Sequence, residues 1–150
     1  MIVLALNSGS SSLKYNLFDT ADEKRNVSGV VERIGSDRTL HKCRAPAGEI
    51  ARDIPKGGHA EALAAVVELL VSPDVAAIKS AKEIGAVGHR VVHGGEKFSV
   101  PTLITDDVQK EIERLSDLAP LHNPINVAGI AVARRLLPDV PHVAVFDTSF

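Results

Sequence analysis

The sequence predicts an α/β domain, a mixed sheet of about five strands with helices on its faces and a small extra hairpin. Three observations predict it. Three β-rich runs open the chain with no helix between them, the pattern then switches to strands alternating with helices, and turn-forming residues stand at the junctions.

Residues 2–6, Ile-Val-Leu-Ala-Leu, are wholly apolar and read as a buried strand, stopped by Asn-Ser-Gly-Ser-Ser-Ser. Residues 14–19 read as its hairpin partner, and residues 27–34 as a third strand ending at Gly35-Ser36-Asp37, which makes an antiparallel meander. Residues 39–44 and 49–54, separated by Ala45-Pro46-Ala47-Gly48, read as the extra hairpin. After Gly57-Gly58, Leu63, Val66, Val67 and Leu70 recur at helical spacing until Pro73, so an amphipathic helix is expected. Residues 86–92 are apolar and β-branched, whereas residues 106–115 and 124–137 are helical in composition. Asn123 is placed as an N-cap ahead of Pro124 in the first helical position, and Pro138 ends that helix. Residues 142–147 read as a last buried strand.

Right-handed crossovers would set the two later strands beside the first and parallel to it. Their carboxyl ends would then open on one edge of the sheet, where α/β proteins place ligands, with Asn7, Arg90 and Asp147 at or near those ends.

The chain has 150 residues, 45% of them hydrophobic. A domain of that size buries roughly two-thirds of the surface its unfolded chain exposes, so one domain is expected over residues 1–150. Seventeen Lys and Arg against 19 Asp and Glu give a net charge of −2, which supplies no case for a nucleic-acid or acidic-membrane partner. Small molecules are the expected ligands. Cys43 is the single cysteine, excluding an intramolecular disulfide and a multi-cysteine zinc site. The N-terminus has no basic, signal-like segment, and no apolar run approaches the roughly 20 residues of a membrane span, so a cytoplasmic protein is expected. The sequence stops at Phe150, just after the last strand and with no closing helix, as a piece of a longer protein would.

Four segments can carry chemistry. Residues 7–14, Asn-Ser-Gly-Ser-Ser-Ser-Leu-Lys, combine hydroxyls, a glycine turn and a lysine, a set that can cradle phosphate; the order is not that of a Walker A loop, and an ordinary serine-rich hairpin is the alternative. In residues 88–95, Gly-His-Arg-Val-Val-His-Gly-Gly, Arg90 has the planar fork that matches a carboxylate or phosphate, and Gly94-Gly95 allow a tight turn. His89 and His93 lie ~13 Å apart along a strand, too far to share one metal ion. His122, in Leu-Ala-Pro-Leu-His-Asn-Pro at 118–124, sits just before a helix start, facing either a ligand or a loop carbonyl. Asp147 ends an apolar strand, where a carboxylate can hold Mg through water, take a proton, or simply begin the next turn.

In this order, the segments at 7–14, 88–95, 118–124 and 145–150 (Val-Phe-Asp-Thr-Ser-Phe) resemble the acetate kinase family over essentially the whole chain. The resemblance implies a ribonuclease-H-like (actin-like ATPase) domain, the N-terminal portion of an enzyme moving phosphoryl between ATP and acetate with Mg or Mn. It implies Asn7 near the metal, Ser10, Ser12 and Lys14 along the phosphate-binding hairpin, and Arg90 on the substrate carboxylate. Val92 and Leu121 would line the methyl pocket, His122 would hydrogen-bond the phosphoryl group, and Asp147 would be the catalytic carboxylate. A homodimer is implied for the full-length protein, and the nucleotide-binding half, with a second arginine and a metal-binding glutamate, would lie outside this chain. A propionate or butyrate kinase and a non-catalytic phosphate-binding module are the rival readings.

Overall fold

The computed structural model describes residues 1–22, 27–95, 97–115, 120 and 123–147. The meander forms as expected: β1 (Ile2–Ser8), β2 (Leu13–Asp19) and β3 (Val27–Glu32) pair antiparallel in sequence. Arg33 ends β3 by taking a positive φ of 59°, a conformation that stops the pleat. β4 (Thr39–Ala45) and β5 (Gly48–Ile54) follow, then α1 (His59–Val71), β6 (Ile84–Val91), β7 (Thr102–Leu103), α2 (Asp106–Arg114), α3 (Asn123–Leu136) and β8 (His142–Phe146).

One sheet runs β5-β4-β3-β2-β1-β6-β8-β7, with β6 and β8 beside β1 and parallel to it, as expected. It has eight strands instead of about five. The hairpin expected as a separate unit extends the main sheet, because β4 pairs with β3 from Ser28↔Arg44 to Glu32↔Leu40. β7 has two residues just after Pro101, too few for any alternation to show in the sequence.

Side-chain alternation sorts the two faces. Leu4, Leu6, Leu17, Val87, Ala144 and Phe146 are buried on one, and all three helices pack there, α1 through Leu63, Val66 and Leu70, α3 through Ile130 and Ala133, α2 through Ile112. Burying a side chain of that size contributes about 1.5–3 kcal/mol, so this face holds most of the fold's driving force. The opposite face carries Val3, Ala5, Ala86, Gly88, Val143 and Val145, all partly exposed. The predicted sheet flanked by helices is therefore realised with its described helices on one side.

Two polar pairs are set into the core. Tyr15 Oη and His41 Nε2 are 2.6 Å apart, the ring of Tyr15 reaching from β2 to β4 across Gly29 of β3. A Cβ on Gly29 would stand 2.4 Å from the tyrosine ring, so a residue with a side chain closes this route. Burial pushes the Tyr15 phenol up, with Cys43 adding to it, and pulls His41 down to about 4, assisted by the charge of Arg52, so both sit neutral. The second pair is His89 with His142, stacked at 5.2 Å. His142 Nε2 meets the Leu137 carbonyl at 2.8 Å and must donate, which leaves Nδ1 to accept from His89 Nε2–H at 3.0 Å. His89 is thus engaged within the core.

Candidate functional site

β1, β6 and β8 run parallel and end at one edge of the sheet, each apolar run giving way there to a polar residue. Because Asn7 pairs with Lys14 across the β1–β2 hairpin, their side chains lie next to each other on one face. On the same face Ala5 registers with Gly88, and Arg90 with Val145. Together these residues surround an open groove of about 340 Å³, floored by Ala5, Gly88 and Val145 and walled by Asn7, Lys14 and Arg90. The small floor residues are what leave the room.

Arg90 and Asp147 meet at the rim of this groove. Arg90 Nε donates to both carboxylate oxygens at 3.0 Å, and Nη2 donates to Oδ2. The hydrogen bonds to Asp147 raise the guanidinium's pKa further, and the pair stays half-exposed. A guanidinium has five N–H donors in a flat fork with two bidentate edges. The Nε side faces Asp147. The Nη1–Nη2 edge remains geometrically able to take a second planar anion.

The Ser-rich segment forms the turn between β1 and β2. Gly9 N–H donates to the Ser12 carbonyl at 2.9 Å, and Ile34 N–H donates to the Ser11 carbonyl at 2.9 Å. Ser10 is exposed at the turn, Ser12 is half-buried, and no ion pair engages Lys14 among the described residues. Of this segment, Lys14 lines the groove that Arg90 enters, and the serines lie on the turn that leads to it.

Beyond β6 the chain turns through the Gly94-Gly95 pair, Gly95 at a φ of 62°, as the sequence anticipates. Two buried asparagines of α3 hold this stretch. Asn123 accepts the His93 N–H at 3.2 Å and donates to the His93 carbonyl at 3.0 Å, and Asn126 accepts the Val92 N–H at 3.0 Å. Asn126 also donates to the Ser8 carbonyl at 3.4 Å, so one side chain ties the ends of β1 and β6. Asn123, expected at the cap of α3, turns its amide to the strand end 30 residues earlier. Asn126 shows no local sign of its role, since an asparagine one turn into a helix is distinguished only by its burial.

Asn7, Lys14, Arg90 and Asp147 thus converge, Ser10 and Ser12 lie along the adjoining turn, and Val92 is held by α3. Leu121 and His122 lie outside the described residues. A divalent cation such as Mg takes oxygen ligands and keeps several waters and substrate phosphates in its shell. The Asn7 amide oxygen and the Asp147 carboxylate are of that donor type, and among the described residues no group of three or more His, Cys, Asp or Glu is placed to hold a metal by itself. The donor set fits a cation shared with substrate.

This fold, with its groove at the carboxyl ends of parallel strands, defines an actin-like ATPase domain. Residues 2–150 match the Acetokinase family, and the chain belongs to it. Acetate kinases of Halothermothrix orenii and Thermosipho melanesiensis are 51% and 54% identical over 100% of this chain. The chain spans 38% and 37% of those relatives' lengths, and corresponds to their N-terminal part. Among solved structures, the crystal structure of Porphyromonas gingivalis acetate kinase superimposes with a TM-score of 0.92 at 41% identity, covering 99% of this chain and 38% of that one. A propionate kinase from Francisella tularensis gives a TM-score of 0.87 at 35% identity, covering 99% and 37%.

Proposed function

We propose that this chain is the acetate- and phosphoryl-binding N-terminal domain of a Mg-dependent kinase that transfers phosphoryl between ATP and acetate. The observation that carries the reading is the Arg90–Asp147 pair at the rim of a groove shared with Asn7 and Lys14, in a chain about half identical to acetate kinases.

Asp147 holds one edge of Arg90 and so aims the other edge into the groove, where the acetate carboxylate is bound and oriented for attack on the terminal phosphorus. Transfer is direct and in line: a carboxylate oxygen forms the new P–O bond as the bond to ADP breaks, and acetyl phosphate leaves. In such reactions the protein mainly positions the reactants and neutralises the three equatorial oxygens. Lys14 and the hydroxyls of Ser10 and Ser12 contribute that positive, hydrogen-bonding lining from this chain. Asn7 and Asp147 would hold Mg together with substrate phosphates, and the ion would supply further charge neutralisation there. His122 donates to the phosphoryl group, while Val92 and Leu121 enclose the methyl group. The adenosine site, the remaining catalytic charges and the dimer surface belong to the rest of the polypeptide, and the compartment is the cytoplasm.

A second reading, a propionate kinase, is favoured by the Francisella tularensis neighbour. One methylene in a pocket is worth only about 1–3 kcal/mol, so acyl preference must be measured. Comparing kcat/KM for acetate, propionate and butyrate with MgATP in the full-length polypeptide tests both. Acetate foremost supports the first reading, propionate foremost the second, and no acyl phosphate from any of them returns the chain to a non-catalytic phosphate-binding module.

A further inference from the structure

His59 opens α1, and its ring points back at the Ser-rich turn. Nε2 lies 2.7 Å from the Gly9 carbonyl and 3.3 Å from the Ser12 carbonyl. Carbonyls only accept, so Nε2 must carry the proton and divide it between them. The imidazole is half-buried, and α1 is anchored by Leu63 and Val66 in the core. Its first turn is fixed as well: the Glu61 carboxylate accepts the Gly58 N–H at 2.9 Å, and hydrogen bonds from backbone amides hold that carboxyl below its ordinary range. The donor is therefore carried on a rigid element.

The consequence lies in the polarity of the turn. An anion is attracted by N–H and O–H groups and repelled by carbonyl oxygens. Of the four turn residues at 9–12, three have their carbonyls engaged within the protein, Gly9 and Ser12 by His59 and Ser11 by Ile34 N–H. With those carbonyls engaged and the Gly9 N–H given to the Ser12 carbonyl, the donors that remain to the turn include the hydroxyl of exposed Ser10 and the amides of Ser10, Ser11 and Ser12.

We infer that His59 is a positioning residue: by drawing the Gly9 and Ser12 carbonyls toward α1 it sets the 9–12 turn in an anion-binding orientation for the phosphoryl groups of the nucleotide. This rests on the phosphotransferase reading given above. His59 touches no reactant.

The test pairs His59→Ala with His59→Gln, whose side-chain amide places a donor near the Nε2 position. In the full-length polypeptide, His59→Ala should lower kcat/KM for ATP roughly 10- to 100-fold, as small misplacements of reacting groups do. KM for acetate should stay near the wild-type value, and His59→Gln should recover most of the loss. In the 150-residue chain, ¹⁵N–¹H spectra should show the Ser10, Ser11 and Ser12 amides displaced in the Ala variant and restored in Gln. Titration with tripolyphosphate should move those amides saturably in wild type and not in His59→Ala. Three results overturn the inference: turn amides unmoved by His59→Ala, wild-type kcat/KM for ATP despite moved amides, or constants for ATP and acetate falling together with the melting temperature, which marks a purely structural role. Should the wild-type polypeptide make no acetyl phosphate, the phosphotransferase reading fails by itself. The tripolyphosphate titration then decides His59, and an equal response of wild type and His59→Ala overturns it.

Discussion

Arg90 and Asp147 hold each other through one edge of the guanidinium and both carboxylate oxygens, and from this two separable predictions follow. Arg90→Lys keeps the charge and loses the planar fork, so it cannot serve Asp147 and a substrate carboxylate together. We expect kcat/KM for acetate to fall roughly 10- to 150-fold, the equivalent of one charge-assisted hydrogen bond at about 1.5–3 kcal/mol. The melting temperature should hardly move, because the Arg90 side chain is 52% exposed and such pairs contribute about 0–1 kcal/mol to folding. Kinetics beside a melting curve check this, and a fall of both in step would make Arg90 a structural ion-pair member. Asp147→Asn preserves shape while removing the charge that aims Arg90. Most turnover should vanish with the fold intact, whereas full activity would make Asp147 an ordinary turn residue. Both positions were legible in the sequence for a simple reason, that a polar residue standing where a buried apolar strand gives out has few structural duties. Their pairing was not legible, because it spans 57 residues and depends on β6 and β8 being neighbours in a given register.

Among the elements, α3 does most to assemble the groove's edge. Asn126 bridges Val92 N–H and the Ser8 carbonyl, and Gly129, one turn on, lets the helix lie against β1. A Cβ on Gly129 would fall 2.2 Å from Ser8 Oγ and 2.8 Å from Ser8 Cβ, a contact no rotamer of a short serine side chain relieves without moving the strand end. Gly129→Ala should thus destabilise by about 1–3 kcal/mol, as overpacking does, against the gain in helix propensity expected at an exposed site. Denaturant midpoints measure it, and a stabilised variant would contradict the packing described. Asn126→Ala leaves the part-buried Val92 N–H and Ser8 carbonyl without this partner and should cost about 1–3 kcal/mol by the same assay. Helical periodicity announced α3 and its limits, Pro124 and Pro138 bracketing it, yet neither asparagine's partner could be read locally. The same holds for His59, whose acceptors lie 50 and 47 residues earlier, and for the hairpin of β4 and β5, where alternation showed two strands but not the edge of the sheet they join.

Across the whole molecule, the buried histidines predict an acid-sensitive fold. Burial, with the neighbouring His142, lowers His89 to about 3, and burial with the charge of Arg52 lowers His41 to about 4, against an ordinary value near 6.5. Between those folded values and about 6.5 the unfolded chain binds more protons than the folded one, so stability rises with pH there and is lost as pH falls. Urea midpoints should drop from pH 7 to pH 5, with each neutral histidine steepening the fall by up to about 1.4 kcal/mol per pH unit. A pH-independent midpoint would mean that the histidines are solvated. The proposed function is that this chain, which spans 38% of the length of its Halothermothrix orenii relative, carries the substrate and phosphoryl side of a kinase cleft. Its most direct test is the rate of acetyl phosphate formation from MgATP and acetate, measured for the 150-residue chain and for the full-length polypeptide. Turnover of about 1–100 per second is predicted for the full-length protein, and a rate several powers of ten lower for the chain alone. Equal rates, or no acetyl phosphate from the full-length protein, would contradict the account.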